Sequence, residues 1–270
     1  MTARIILGVG LMFLYLPLLV VMGYSFNASR LVTVWTGFST QWYGELFADR
    51  QILRAAGVSL GVALVSASLA TVLGTAAGYS LARFGPFRGR SIFAGSLAMP
   101  LVMPEVITGL ALLLLFVAAQ SVMPWLPGRG VATLVLAHAS LTMAYVAVIV
   151  QARVAGMGRD LEEAAADLGA RPGAVFRHVT LPMIAPALVA GWLLAFVLSL
   201  DDLVIASFVS GPQSTTLPMV VFSSVRLGVS PKINALATIL IVVTFVLLAT
   251  AAALTRTRGR AAPGAPPGPK

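Results

Sequence analysis

The sequence contains no cysteine, only two histidines (His138 and His178) and only two lysines (Lys232 and Lys270) among 270 residues. The absence of cysteine excludes disulfides, thiol nucleophiles and thiolate metal sites, and two histidines leave little for an imidazole site, so no metal centre and no catalytic residue are expected. A phosphate-binding loop of the form G-x-x-x-x-G-K-[ST] is excluded too, because both lysines follow proline. Charge is scarce: 10% of residues are charged and 59% hydrophobic, whereas a soluble domain has roughly 25% charged and 45–50% apolar residues. A mean hydropathy of +0.95 cannot be hidden in one core that still presents a polar surface to water. The implied solvent is lipid.

Six apolar stretches are long enough to cross a bilayer as helix: 5–24, 57–82, 92–119, 131–151, 185–208 and 233–254. They predict an all-α membrane protein with six transmembrane helices, a single membrane domain over 1–254 and a disordered Pro/Gly/Ala tail over 255–270. The first stretch is longer than a signal-peptide core and no A-x-A site follows it, so it reads as a retained helix. The net charge of +9 would suggest nucleic acid in a soluble protein, but its distribution explains it differently. Twelve basic residues, among them Arg4, Arg83, Arg88, Arg90, Arg153 and Arg159, fall on one side of the spans and six on the other. The positive-inside bias then places both termini and the 153–182 loop in the cytoplasm, with no nucleic-acid partner.

Within the spans, Gly57/Gly61 and Gly74/Gly78 have the small-xxx-small spacing that lets helices approach closely in lipid. Pro100 and Pro104 interrupt the third span, and His138 in the fourth reads as a packing residue. Asp160 followed by Glu163 predicts a capping-box start to a short helix that Gly169 ends. Pro172 predicts a second short helix through about His178, stopped by Pro182.

That loop resembles the permease subunits of ATP-binding-cassette importers, whose signature is E-A-A, three residues, G, nine residues, I-x-L-P. Glu163, Ala164, Ala165, Gly169, Val179, Leu181 and Pro182 fill it with one departure, Val179 for Ile. The resemblance implies a type I (MetI-like) importer permease fold in the bacterial inner membrane. It also implies that the Asp160–Pro182 loop docks on a separate ATPase dimer, which binds ATP–Mg, while this chain carries no cofactor. A homologous second permease chain and a periplasmic binding protein complete the implied partners. Further stretches, Ser39-Thr-Gln-Trp-Tyr-Gly-Glu45, Pro100 through Gly109, Gly191 through Pro212, Thr215-Thr-Leu-Pro-Met219 and Ile233 through Thr238, are similar to the spermidine/putrescine permeases, and most similar to their putrescine subunits. The implied cargo is a polyamine and the implied binding protein a polyamine-binding protein.

Acids inside spans are costly and normally face a cavity or a partner. Asp201 and Asp202 in the fifth span and Glu105 beside Pro104 could replace the hydration lost by a polyamine's ammonium groups, and Trp42 or Tyr43 could add cation–π contact at the outer mouth. Alternatively Asp201 or Asp202 caps a broken helix or pairs with an arginine of the partner subunit, Glu105 caps the helix after Pro104, and Trp42 and Tyr43 are interfacial belt residues. Neighbouring helical positions diverge by about 100°, so only one of Asp201 and Asp202 is expected on the pathway. The rival functions are an importer for another cationic or small solute, an ion-gradient-driven transporter, and a non-transporting scaffold.

Overall fold

A computed structural model describes residues 2–31, 34–125, 128–228 and 230–259, and nearly all of the regular structure among them is helical. The helices are α1 (Thr2–Tyr24), α2 (Gln41–Ala48), α3 (Arg50–Arg83), α4 (Arg90–Val102), α5 (Glu105–Val122), α6 (Val131–Ala155), α7 (Asp160–Asp167), α8 (Pro172–Val175), α9 (Leu181–Asp201), α10 (Val204–Val209), α11 (Leu217–Leu227) and α12 (Pro231–Gly259). Among the described residues, five helical stretches are long and apolar enough to cross a membrane: α1, α3, α5, α6 and the continuous run Pro172–Asp201. The sixth span is α12, whose Pro231–Val246 portion is apolar. Two units make up the chain, one from residues 1–50 and 221–270, the other from 51–220.

The 51–220 unit is organised around α6, the most enclosed of the spans. Most of its buried positions are small or β-branched, with Ala137, Ala144, Val146, Ala147, Val150 and Val154 sealed from solvent. α3 lies against it at backbone distance. A Cβ at Gly74 would stand 2.7 Å from the Met143 carbonyl and one at Gly78 would collide with the Ala147 carbonyl, so only glycine permits this approach. The other glycine pair behaves differently, since nothing lies within 4 Å of a Cβ at Gly57 or Gly61. α9 packs along another side of α6, with Ile184, Ala195 and Phe196 in the core that Val146 and Val150 share. A hydrogen bond from Ser66 Oγ to the Val135 carbonyl at 3.2 Å adds a polar tie between α3 and α6.

Two expected spans are broken rather than continuous. The 92–119 stretch is α4 and α5, interrupted at Met103–Pro104, where Met103 and Pro104 adopt extended ψ angles of 138° and 135°. Pro104 forces this by disfavouring helical backbone at the residue before it, while Pro100 is tolerated inside α4. The 185–208 stretch starts earlier, at Leu181, and breaks at Asp202–Leu203 before α10 resumes. Pro182 does not stop the loop helix as predicted. A π-helical turn, Phe176–Thr180, joins α8 to α9 without interruption. Pro182 sits in the first turn of α9, where its missing N–H is tolerated and the wider turn leaves room for its ring. α12 continues through Gly259, past the expected boundary at Leu254; the rest of the predicted tail, 260–270, lies outside the described residues.

The other unit contains α1, α2 and α12. α1 has no buried stretch: Phe13 is 83% and Ile6 71% exposed, the character of a helix whose partner is lipid or another chain. Asn27 pins the segment before α2. Its Nδ2 donates to the Val34 carbonyl at 2.7 Å, and its Oδ1 accepts from the Ser29 and Thr36 amides.

Replacing Gly78 by Ala should destabilise the protein by about 2 kcal/mol or more, because a carbonyl occupies the new methyl's place. Gly61→Ala, into open space, should be neutral or slightly stabilising, and thermal unfolding of the purified protein in detergent compares the two directly.

Candidate functional site: a braced short helix and acids at two helix breaks

α7 carries the E-A-A residues on a helix with no buried side chain. Its start differs from the expected capping box: Arg159 occupies the N-cap position without a side-chain hydrogen bond, and Asp160 is already helical. Its end follows expectation. Gly169 adopts φ +86°, the Gly169 amide bonds the Ala166 carbonyl at 2.9 Å, and the Ala170 amide bonds the Ala165 carbonyl at 3.1 Å. These are the two bonds of a Schellman motif, which turns the chain sharply after two turns of helix. Leu161 is 58% and Leu168 90% exposed; with Ala164 between them they form an apolar stripe, and Glu163 stands exposed nearby.

The opposite side of α7 is clamped, and the clamp uses Glu162, not Glu163. Glu162 Oε2 lies 3.0 Å from Arg83 Nε at the end of α3, with only 14% and 9% of the two side chains exposed. Its other oxygen, Oε1, accepts a 2.7 Å hydrogen bond from the buried Thr180 hydroxyl in the π turn. The Arg83 guanidinium also reaches the Met157 carbonyl at 3.4 Å, and Arg159 returns a bond to the Arg83 carbonyl at 3.2 Å. Arg153 donates to the Met183 carbonyl at 3.1 Å, and the Tyr79 ring packs edge-on against Phe176 at 5.2 Å. One carboxylate therefore joins α3, α7 and the base of α9. Val179 and Leu181 are half-buried and Pro182 exposed beside this joint. Adjacent acids at 162 and 163 could not be told apart from the sequence, because the partner arginine sits in a different span.

The intramembrane acids lie at the two helix breaks. Glu105 opens α5 directly after Pro104 and is exposed. Asp201 is the last residue of α9 and is exposed. Asp202 points inward: its Oδ2 accepts the Ala206 amide at 2.7 Å and its Oδ1 the Ile205 amide at 3.3 Å, so it caps α10. The two breaks are packed together through α5 and α10, where a Cβ at Gly109 would meet the Phe208 ring at 2.7 Å.

Trp42 and Tyr43 belong to the other unit. Trp42 is 4% exposed, and its indole N–H donates to the Asn27 carbonyl at 2.6 Å. In this structure the residue is buried, and its one polar atom is used within its own unit. Tyr43 is half-buried, shares a 2.8 Å hydrogen bond with Ser25 Oγ, and packs against Phe26 with ring centroids 5.4 Å apart.

Fold and site define a multispan helical membrane protein that presents a short helix on a charged clamp. Residues 70–257 match the family model described as binding-protein-dependent transport system inner membrane component. The chain is 58% identical over 237 residues to the putrescine transport system permease protein PotI of Escherichia coli (strain K12), covering 88% of this chain and 84% of that protein. It is 37% identical over 244 residues to the spermidine/putrescine transport system permease protein PotC of the same organism, covering 90% of each. Among solved structures, a chain of a bacterial ABC transporter that imports the acidic polysaccharide alginate superposes with a TM-score of 0.70 at 14% identity, covering 94% of both chains. A chain of the inward-facing MetNI methionine ABC transporter gives 0.62 at 17% identity, covering 76% of this chain and 95% of that one. The chain belongs to the family of binding-protein-dependent transport system inner membrane components, and its fold is that of ABC importer permeases.

Arg83→Met should leave Glu162 buried without its cation and destabilise the clamp by about 3 kcal/mol. Glu162→Gln, which keeps an acceptor for Thr180, should cost less; protease accessibility of the 157–171 segment, compared across the two variants, reads the difference.

Proposed function

We propose that this chain is the membrane-spanning permease subunit of an ATP-driven importer that brings polyamine, putrescine foremost and spermidine as a second cargo, into the cytoplasm. The observation that carries this reading is the 58% identity over 88% of the chain to a putrescine permease, joined to a coupling signature from Glu163 to Pro182 that departs only at Val179. In this reading the chain is not itself an enzyme. A homologous permease pairs with it in the bacterial inner membrane, a cytoplasmic ATPase dimer binds ATP–Mg, and a periplasmic polyamine-binding protein delivers cargo. Both termini and α7 face the cytoplasm, in keeping with the basic excess on that side.

The physical argument runs from the clamp outward. A partner that grips the exposed Leu161, Ala164 and Leu168 stripe moves a helix whose other face is tied by Glu162 to Arg83 and Thr180. A displacement of α7 is therefore passed to the ends of α3 and α9 instead of being absorbed by a loose loop. Asp160 and Glu163 place negative charge at the free side of α7, where an ATPase surface would meet it. Along the membrane path, Glu105 and one carboxylate of the adjacent Asp201 and Asp202 supply charge at the breaks, able to replace the water that a polyamine's ammonium groups give up. Tyr43 offers a partly exposed aromatic ring for cation–π contact with the same cargo.

Labelled putrescine uptake into proteoliposomes containing this chain, its partner permease, the ATPase and the binding protein tests the reading. ATP-dependent uptake competed by spermidine is expected. ATPase activity stimulated by a different periplasmic ligand, without polyamine uptake, would overturn the cargo and keep the class. Glu163→Arg should abolish uptake while insertion into the membrane stays normal, and wild-type uptake by that variant would remove Glu163 from the coupling role.

A further inference from the structure

Three buried polar side chains meet where α9 breaks, and they come from both sides of the break and from the central helix. His138 on α6 is 2% exposed and Ser199 on α9 is 5% exposed. His138 Nδ1 lies 2.6 Å from Ser199 Oγ. The other ring nitrogen, Nε2, lies 3.2 Å from Oδ2 of Asp202, whose side chain is 7% exposed. That contact is at ion-pair distance without the alignment of a hydrogen bond. The surroundings are apolar, with Leu134, Ala137, Ile205 and Ala206 buried in one cluster. A single imidazole therefore touches the last turn of α9 through Ser199 and the cap of α10 through Asp202.

We propose that His138 is a positioning residue that latches the α9–α10 break, that Asp202 is committed to this latch, and that Asp201 is the carboxylate left to meet a cationic cargo. The inference rests in part on the polyamine reading, because the cargo-facing role of Asp201 has meaning only for a cation. The latch itself does not depend on it. Both oxygens of Asp202 already serve backbone amides of α10, and one also faces the imidazole. A cargo ammonium would have to displace those partners in a pocket closed to solvent. Asp201, one residue earlier and exposed, carries no such duty. The two neighbours thus divide the work: one carboxylate satisfies the break and the other presents charge outward.

The chemistry of asparagine separates the two roles. The amide oxygen of an asparagine can still accept one of the two α10 amides, so Asp202→Asn keeps part of the cap while removing the charge. In the reconstituted transporter, Asp202→Asn should leave the KM for putrescine near the wild-type value, whereas Asp201→Asn should raise it about tenfold, the loss of one charge-assisted contact. The latch is read separately, by thermal unfolding of the purified complex for His138→Ala, Asp202→Ala and the double variant. Each single change should lower Tm by about 5 °C or more, and the double by clearly less than the sum, since one partner no longer strands the other. Additive Tm losses would overturn the latch. A tenfold rise in KM for Asp202→Asn with Asp201→Asn unchanged would overturn the division of roles. If the wild-type complex takes up no polyamine, the cargo-facing role of Asp201 falls with the proposed function, while the Tm cycle still decides the latch.

Discussion

How closely α3 can approach α6 is decided at Gly74 and Gly78, and the positions of both candidate sites follow from it. In lipid there is no hydrophobic gain from pressing two apolar helices together, so their association depends on contact made at short range. The α6 carbonyls of Met143 and Ala147 occupy the space that side chains at 74 and 78 would fill. Arg83 lies little more than a turn beyond Gly78, so the α3–α6 contact also sets where its guanidinium can reach. His138 lies on the same central helix, little more than a turn before Met143. One packing contact thereby anchors a charge at the end of the bundle and an imidazole within it.

The two polar clusters share a logic. In each, a buried carboxylate spends both oxygens on partners from segments far apart in sequence: Glu162 on Arg83 and Thr180, Asp202 on His138 and the first turn of α10. Buried ion pairs contribute little net stability, because desolvation offsets most of the attraction, but removing one partner is costly. Such pairs are therefore better at defining position than at adding stability. For a protein whose reading requires a short helix to transmit displacement, a defined position is the property that matters.

Much of this arrangement was legible in the residues, and the illegible parts have physical causes. Apolar length located the spans, Pro104 marked one break, and Gly169 marked the end of α7, because each acts through local backbone chemistry. Pro182 misled for the same reason: its local effect is to stop a helix, and it takes the π turn of 176–180 to carry the helix through it. Glu162 was overlooked in favour of its neighbour because its significance comes from Arg83, a contact between spans that no local pattern encodes. Trp42 could be read from its chemistry as a cation-binding ring or as an interfacial belt residue, and its burial and its bond to the Asn27 carbonyl come from a loop contact that no local pattern encodes. The ambiguity between Asp201 and Asp202 was built into their adjacency, and the backbone break that begins at Asp202 gives the two side chains different surroundings.

The breaks themselves show how acids can be held at membrane depth. Ending a helix inside a bilayer frees backbone amides that lipid cannot satisfy. At the α4–α5 break the solution is Pro104, which has no amide to satisfy and whose carbonyl accepts from Ile107 and Thr108 at 3.0 and 3.2 Å. Glu105 is then not needed as a cap. At the α9–α10 break no proline is present, and the side chain of Asp202 takes the amides of Ile205 and Ala206 instead. Each break thus assigns one residue to the backbone and leaves one acid beside it, Glu105 or Asp201, exposed. A helix interrupted this way presents negative charge where some of the freed amides already have partners, which lowers the cost of placing an acid at the interruption.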